Sequence, residues 1–170
     1  MSGWWQAEQA LRDRPVRDVL VPGRLDRDDE LPEFRPQPLA VWLRLDEGLL
    51  RFESVGPYDR LDAAVVRSVG WEDIGLLAEA EDEVIVASYG EQLFGDGRDE
   101  LRCTQLRVHR SPGTDDTVCS CLALDFEGGQ TLFLDPAWTF GIRIGNGSDE
   151  QHWLKLNGGG RTRTVELGAV

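Results

Sequence analysis

Three cysteines and two histidines are the residues of this chain best suited to chemistry, and two of the cysteines stand one residue apart in Cys119-Ser120-Cys121. Read as a strand, residues 117–127 put Val118, Leu122, Leu124 and Phe126 on one face and Cys119, Cys121, Ala123 and Asp125 on the other, because side chains alternate along extended backbone. The preceding segment, 101–110, turns Leu106 and Val108 to the same core and leaves Cys103, Gln105, Arg107 and His109 beside the cysteines. A register pairing His109 with Cys119 satisfies both patterns. Thiols and an imidazole so placed could ligate zinc, or supply a thiolate with its base. Cys-x-Cys on a flat strand lacks the tight turn of Cys-x-x-Cys, however, and a reactive thiolate needs an electropositive setting that an acidic chain does not offer. The expectation is therefore buried or half-buried reduced cysteines, with no catalytic residue, no metal ligand and no cofactor.

Other catalytic signatures are missing from the sequence: there is no Gly-x-Ser-x-Gly elbow, no His-Glu-x-x-His, no Gly-x-x-x-x-Gly-Lys and no dinucleotide fingerprint. Gly95 to Glu100 lacks the alternating oxygens of a calcium loop, and the stretches Gly145 to Ser148 and Asn157 to Gly160 read as turns.

Charge is the most unusual global property, with 31 acids against 18 bases and a formal net charge of −13. A field of that sign repels nucleic acid and anionic membranes, and it attracts basic proteins. Only Lys155 among the basic residues is lysine, an arginine bias of the kind that a GC-rich bacterial genome produces. Six acids and no base fall between Glu72 and Glu83, namely Glu72, Asp73, Glu79, Glu81, Asp82 and Glu83, interleaved with Ile74, Leu76 and Leu77. Acids rimming an apolar patch suit a grip on a basic target, although a solvated helix face has the same composition. Of six tryptophans, Trp42, Trp71, Trp138 and Trp153 lie in or beside expected elements and read as core. The adjacent Trp4 and Trp5 cannot share one helical stripe, so one is expected to pack on the domain and the other to reach a partner.

These residues need elements to hold them. Gly3 to Asp13 reads as a helix with Ser2 as N-cap, and four prolines and an acidic run between Pro22 and Pro38 read as an irregular arm. Residues 1–38 are thus expected to form a helix and a Pro-rich acidic arm, ahead of a β-rich domain over 39–170. There, Leu39–Leu45 and Leu49–Val55 flank a turn at Gly48, 61–69 is strand or helix, and 71–83 holds a short helix before a strand at 84–89. Segments 101–110, 117–127 and 131–135 form a meander, with a turn at Asp135-Pro136, a strand over 139–144 and a last strand over 162–167. Ser148 and Gln151 could form the capping box of a short helix through Leu156.

The fold class expected is mainly β, an antiparallel barrel or sandwich of about eight short strands with a short N-terminal helix. No apolar run reaches the length of a membrane span, and the N-terminus lacks the pattern of a signal peptide, so a cytoplasmic location is expected. The functional expectation is a non-enzymatic protein-binding domain, an immunity-protein-like or antitoxin-like inhibitor of a basic partner, through Trp4, Trp5 and the acids from Glu72 to Glu83. The alternative is a small-molecule-binding β-barrel or barrel enzyme.

Overall fold

The computed structural model describes residues 3–28, 30–78, 83–95 and 97–168. In chain order the elements are α1 (Gly3–Asp13), β1 (Val16–Asp26), β2 (Glu33–Pro36), β3 (Ala40–Leu45), β4 (Leu49–Val55), β5 (Arg60–Val66), a 3-10 turn (Trp71–Asp73), α2 (Gly75–Ala78), β6 (Val84–Ser88), α3 (Gly90–Phe94), β7 (Cys103–Arg110), β8 (Cys121–Phe126), β9 (Thr131–Trp138), β10 (Gly141–Gly145), α4 (Gly147–Leu156) and β11 (Arg161–Glu166). They form two antiparallel sheets. The first runs β6-β1-β3-β4-β5, with β2 extending β1 beyond the end of β3; the second runs β10-β9-β8-β7-β11.

The sheets face each other as a sandwich, and the fold is mainly β as the alternation predicts. Val19, Val21, Leu43, Leu50, Phe52 and Leu61 of the first sheet meet Leu106, Val108, Leu122, Leu124, Leu134 and Ile142 of the second in one buried cluster. Backbone hydrogen bonds join the layers directly. Val16 and Leu101 bond reciprocally at 2.8 Å, Leu61 and Cys119 at 2.8 and 3.0 Å, and the Ile142 N–H donates to the Pro38 carbonyl at 2.7 Å. The helix α1 packs on β5 and β7, so it closes one side of the sandwich. Its Trp4 ring stacks on Phe52 at 6.2 Å and its indole N–H donates to the Thr117 carbonyl at 2.8 Å.

Each sheet also buries part of its outer face. Leu20, Ala40, Trp42 and Leu49 are covered by Ile74 and Leu77 from the 3-10 turn and α2, and Cys121, Ala123 and Phe133 by Trp153 of α4. For β1 this means burial on both faces: Val19 and Val21 point inward and Leu20 outward. A strand so placed loses the polar alternation that marks a half-buried one.

That loss explains the main correction. Of the irregular arm expected from Pro22 to Pro38, residues 22–26 are the end of β1, which begins at Val16 and lies between β6 and β3, and residues 33–36 are β2. The prolines fit because Pro22 falls in the gap where β1 changes partner from β3, paired through Leu20, to β2, paired from Gly23. Gly23 is required there, since a Cβ would come within 2.5 Å of the Arg35 carbonyl oxygen and 2.4 Å of the Phe34 ring.

Smaller departures have equally local causes. Pro136 does not end β9; it sits where the pairing with β10 shifts between Gly141 and Arg143. The cap of α4 is Asn146, whose side chain accepts from the Ser148 and Asp149 N–H groups while Asp149 bonds back to the Asn146 N–H, so the box lies two residues before the expected Ser148 and Gln151. The segment 61–69 is strand only as far as Val66, where β5 ends, and α3 was not expected. The Ser2 cap lies outside the described residues.

Candidate functional site

The expected thiol and imidazole cluster does not assemble. His109 pairs with Cys121 rather than Cys119, because the strand begins only at Cys121. Upstream, the Ser120 N–H donates to the His109 carbonyl at 2.8 Å and Cys119 crosses to bridge Leu61 of the opposite sheet. Cys103 and Cys119 therefore sit in the core between the sheets, and Cys121 alone lies on the outer face with Ala123. Burial pushes all three thiols up, Cys103 to about 12 and the others further. Among the described residues, no group of three or more His, Cys, Asp or Glu is placed to hold a metal ion.

His109 belongs instead to a polar network under α4. Its Nε2 lies 2.7 Å from Glu150 Oε1 and its Nδ1 2.9 Å from Thr162 Oγ1. Arg107 donates to both Glu150 oxygens at 2.8 and 2.7 Å and also pairs with Asp125, which accepts from Thr131 Oγ1 at 2.7 Å. Burial opposes ionisation of Glu150, but the hydrogen bond from His109 and the pairing with Arg107 outweigh it and bring its pKa down to about 2. Arg107 likewise holds Asp125 below its ordinary value. Every strong donor and acceptor in this cluster faces another, so it fastens α4 and β11 to the sheet.

The surface residues expected to meet a partner are spread out. Trp4 is 1 % exposed and belongs to the core, whereas Trp5 is 48 % exposed on α1 at the β5 edge. Glu72 is exposed on the 3-10 turn, Asp73 ends that turn, and Glu83 is exposed at the entry to β6. Since β5 and β6 are opposite edges of one sheet, Trp5 and Glu83 stand a sheet's width apart. Glu79, Glu81 and Asp82 lie outside the described residues.

What the topology does bring together is Glu83 and the turn between β1 and β2. The Leu25 N–H donates to the Glu83 carbonyl at 3.0 Å, and Arg27 pairs with the Glu83 carboxylate at 2.9 Å. A cleft of about 660 Å³ opens there, lined by Arg24 to Asp28, Arg35 to Gln37, Glu83, Thr139 and Phe140. Its last wall is the β9–β10 turn, where Trp138 and Phe140 pack edge to face at 5.1 Å. Trp138, expected in the core, is 45 % exposed, and Phe140 is 63 % exposed. Aromatic residues at 138 and 140 between Pro136 and Gly141 carried the signal in the sequence, since Pro and Gly on either side mark a turn.

No helix among the described residues is long and apolar enough to cross a membrane. No family model matches this chain, and no curated protein or solved structure matches it.

Proposed function

We propose that this chain is a non-enzymatic protein-binding domain that engages a basic partner protein, in the manner of an immunity protein or antitoxin that occludes a toxin enzyme in the cytoplasm. The observation that carries this reading is the formal net charge of −13, with Glu83 set against the acidic turn between β1 and β2. Asp26 to Glu33 holds five acids and one arginine, and Glu79 to Glu83 holds four acids and no base. The pairing of Arg24 with Val84 and the bond from the Leu25 N–H to the Glu83 carbonyl set Glu83 beside the start of the first run. Charge concentrated at one end of a molecule steers a basic protein to that end and rejects acidic competitors.

The buried chemistry supports binding over catalysis. The thiols are protonated at neutral pH and enclosed, and both nitrogens of His109 are engaged by Glu150 and Thr162. The space between the sheets, which a ligand-binding barrel would need, is filled by Phe52, Leu50, Leu122 and Leu134.

The test is capture at low salt from lysate of the source organism, identification of what a salt gradient elutes, and reconstitution with the purified candidate. An equimolar complex that weakens with salt, and that silences the partner's activity if it is an enzyme, is the expected result. Recovery of acidic proteins only, or a complex indifferent to salt, would count against the reading.

A further inference from the structure

We propose that the pocket between α1 and the junction of β7 with β11 binds a phosphate group, held by Arg110 and Arg161. The site shares no lining residue with the cleft beside Glu83, and it does not depend on a basic partner.

The strand register builds the site. β11 lies along β7 so that Arg161 stands opposite Arg110 and Arg163 opposite Val108. Cross-strand partners share a face, and Val108 points into the core, so all three arginines lie on the inner face, toward α1. Gly160 permits the close approach, since a Cβ there would come within 2.3 Å of the Arg110 carbonyl oxygen. The result is a pocket of about 490 Å³ lined by Trp4, Arg110, Asp116, Arg161, Thr162 and Arg163. In a chain with 31 acids and 18 bases, this lining holds three arginines and one carboxylate.

The arginines are unequally matched. Arg163 is answered by Glu8 of α1, with Nη2 2.9 Å from Oε2. Arg110 and Arg161 are left with Asp116 between them: Arg161 lies 3.2 Å from its Oδ1, and the Arg110 Nε lies 3.9 Å from the same oxygen. The Arg110 side chain is 8 % exposed, whereas that of Asp116 is 79 % exposed. Arg110 donates from Nε to the Val118 carbonyl and from Nη2 to the Asp116 carbonyl, each at 3.0 Å. Those bonds fix the guanidinium without neutralising it, and they do not use Nη1. Asp115, next in the loop, is exposed and its carboxylate accepts from the Thr117 N–H at 2.7 Å. Like charges directly opposite on paired strands repel, and a buried charge needs a counter-charge.

The missing counter-charge selects the ligand. A carboxylate that took the place of Asp116 would only repeat its single charge. A phosphate group carries about two negative charges near neutral pH and offers three acceptor oxygens, enough to bridge two guanidinium forks. The pair of Asp116 with Arg161 is exposed at both ends, contributes little, and gives way at small cost. The pocket is larger than a phosphate group, so the body of a small phosphomonoester fits beside Trp4. A polyanion such as nucleic acid would meet the repulsion of the whole acidic surface, whereas a small dianion is screened from charges beyond the pocket.

The experiment is titration of the ¹⁵N-labelled full chain with inorganic phosphate, glucose 6-phosphate and acetate at constant ionic strength, followed by NMR. Expected are saturable shifts at the Trp4 indole N–H and at the amides of Asp116, Arg161 and Thr162, with phosphate at least fivefold tighter than acetate. Arg161→Gln, at an exposed position, should weaken phosphate binding at least fivefold. Asp116→Asn removes the competing carboxylate and should tighten it at least twofold, while Asp99→Asn should leave it unchanged. Tighter binding of glucose 6-phosphate than of inorganic phosphate would assign the site to a phosphorylated small molecule, and the reverse order to free phosphate. Equal affinity for acetate and phosphate, an Arg161→Gln variant that binds as the wild type does, or no shift at tens of millimolar phosphate would each overturn the proposal.

Discussion

His109 and Glu150 face each other across 2.7 Å beneath α4, at 1 % and 2 % exposure, and Glu150 is the one buried residue of that helix. A helix docked through a carboxylate depends on its partners being present. Glu150→Gln strips Arg107 of a counter-charge and His109 of its carboxylate partner, and it is expected to cost about 3 kcal/mol of stability, measured by urea unfolding.

The same carboxylate sets an acid limit. Its folded-state pKa of about 2 lies below the ordinary 4.5, so its contribution is complete above pH 4.5 and is lost as the pH falls from 4.5 toward 2. Unfolding free energy of the wild type should fall through that window. Glu150→Gln should flatten the slope, and equal slopes for the two proteins would refute the assignment.

The thiols make an opposite prediction at the alkaline end. Native protein should leave Cys103, Cys119 and Cys121 unlabelled by a thiol reagent at neutral pH, and all three should react in guanidinium. Because burial raises their pKa values above the ordinary 9.0, their share of stability is complete below pH 9 and is lost above it, as the unfolded chain ionises first.

Trp4 and Trp5 are neighbours with unequal duties. Trp4→Ala removes the stack on Phe52 and the bond to Thr117 and should cost about 3 to 5 kcal/mol, whereas Trp5→Ala should change stability by no more than about 0.5 kcal/mol. Chemical denaturation of the two variants side by side decides this.

Gly141→Ala tests how the aromatic turn is anchored. The added methyl meets the Pro38 carbonyl at a positive φ, and a loss on the order of 2 kcal/mol is expected, with the Trp138 indole resonance displaced. An unchanged resonance would mean that the turn does not depend on Gly141.

Much of the sheet pairing was legible because the strands from Leu39 onward keep one face in the core: Leu106 and Val108, then Leu122, Leu124 and Phe126, point inward as alternation requires. Alternation is lost where a second layer covers the outer face or where backbone crosses between sheets. Leu20 beside Val19 and Val21 erased the period of β1, and the crossing at Cys119 broke the register that alternation assigned to His109. Of the site, Glu83 was visible as part of an acidic composition, yet only the pairing of β1 with β6 shows that it lies beside Leu25 and Arg27. Glu150 as the partner of His109 was out of reach, since 41 residues separate them and no local pattern links a helix to a strand it covers.

The bond from Ile142 to Pro38 has a kinetic consequence. The cleft beside Glu83 draws one wall from the β1–β2 turn and one from the β9–β10 turn, and that bond, with the Val16–Leu101 and Leu61–Cys119 bridges, rivets the sheets so that the walls keep their spacing. A basic partner of this acidic chain would then dock on a preformed surface, at a rate that charge steering governs. Added salt should slow the encounter and leave the residence time of the complex nearly untouched.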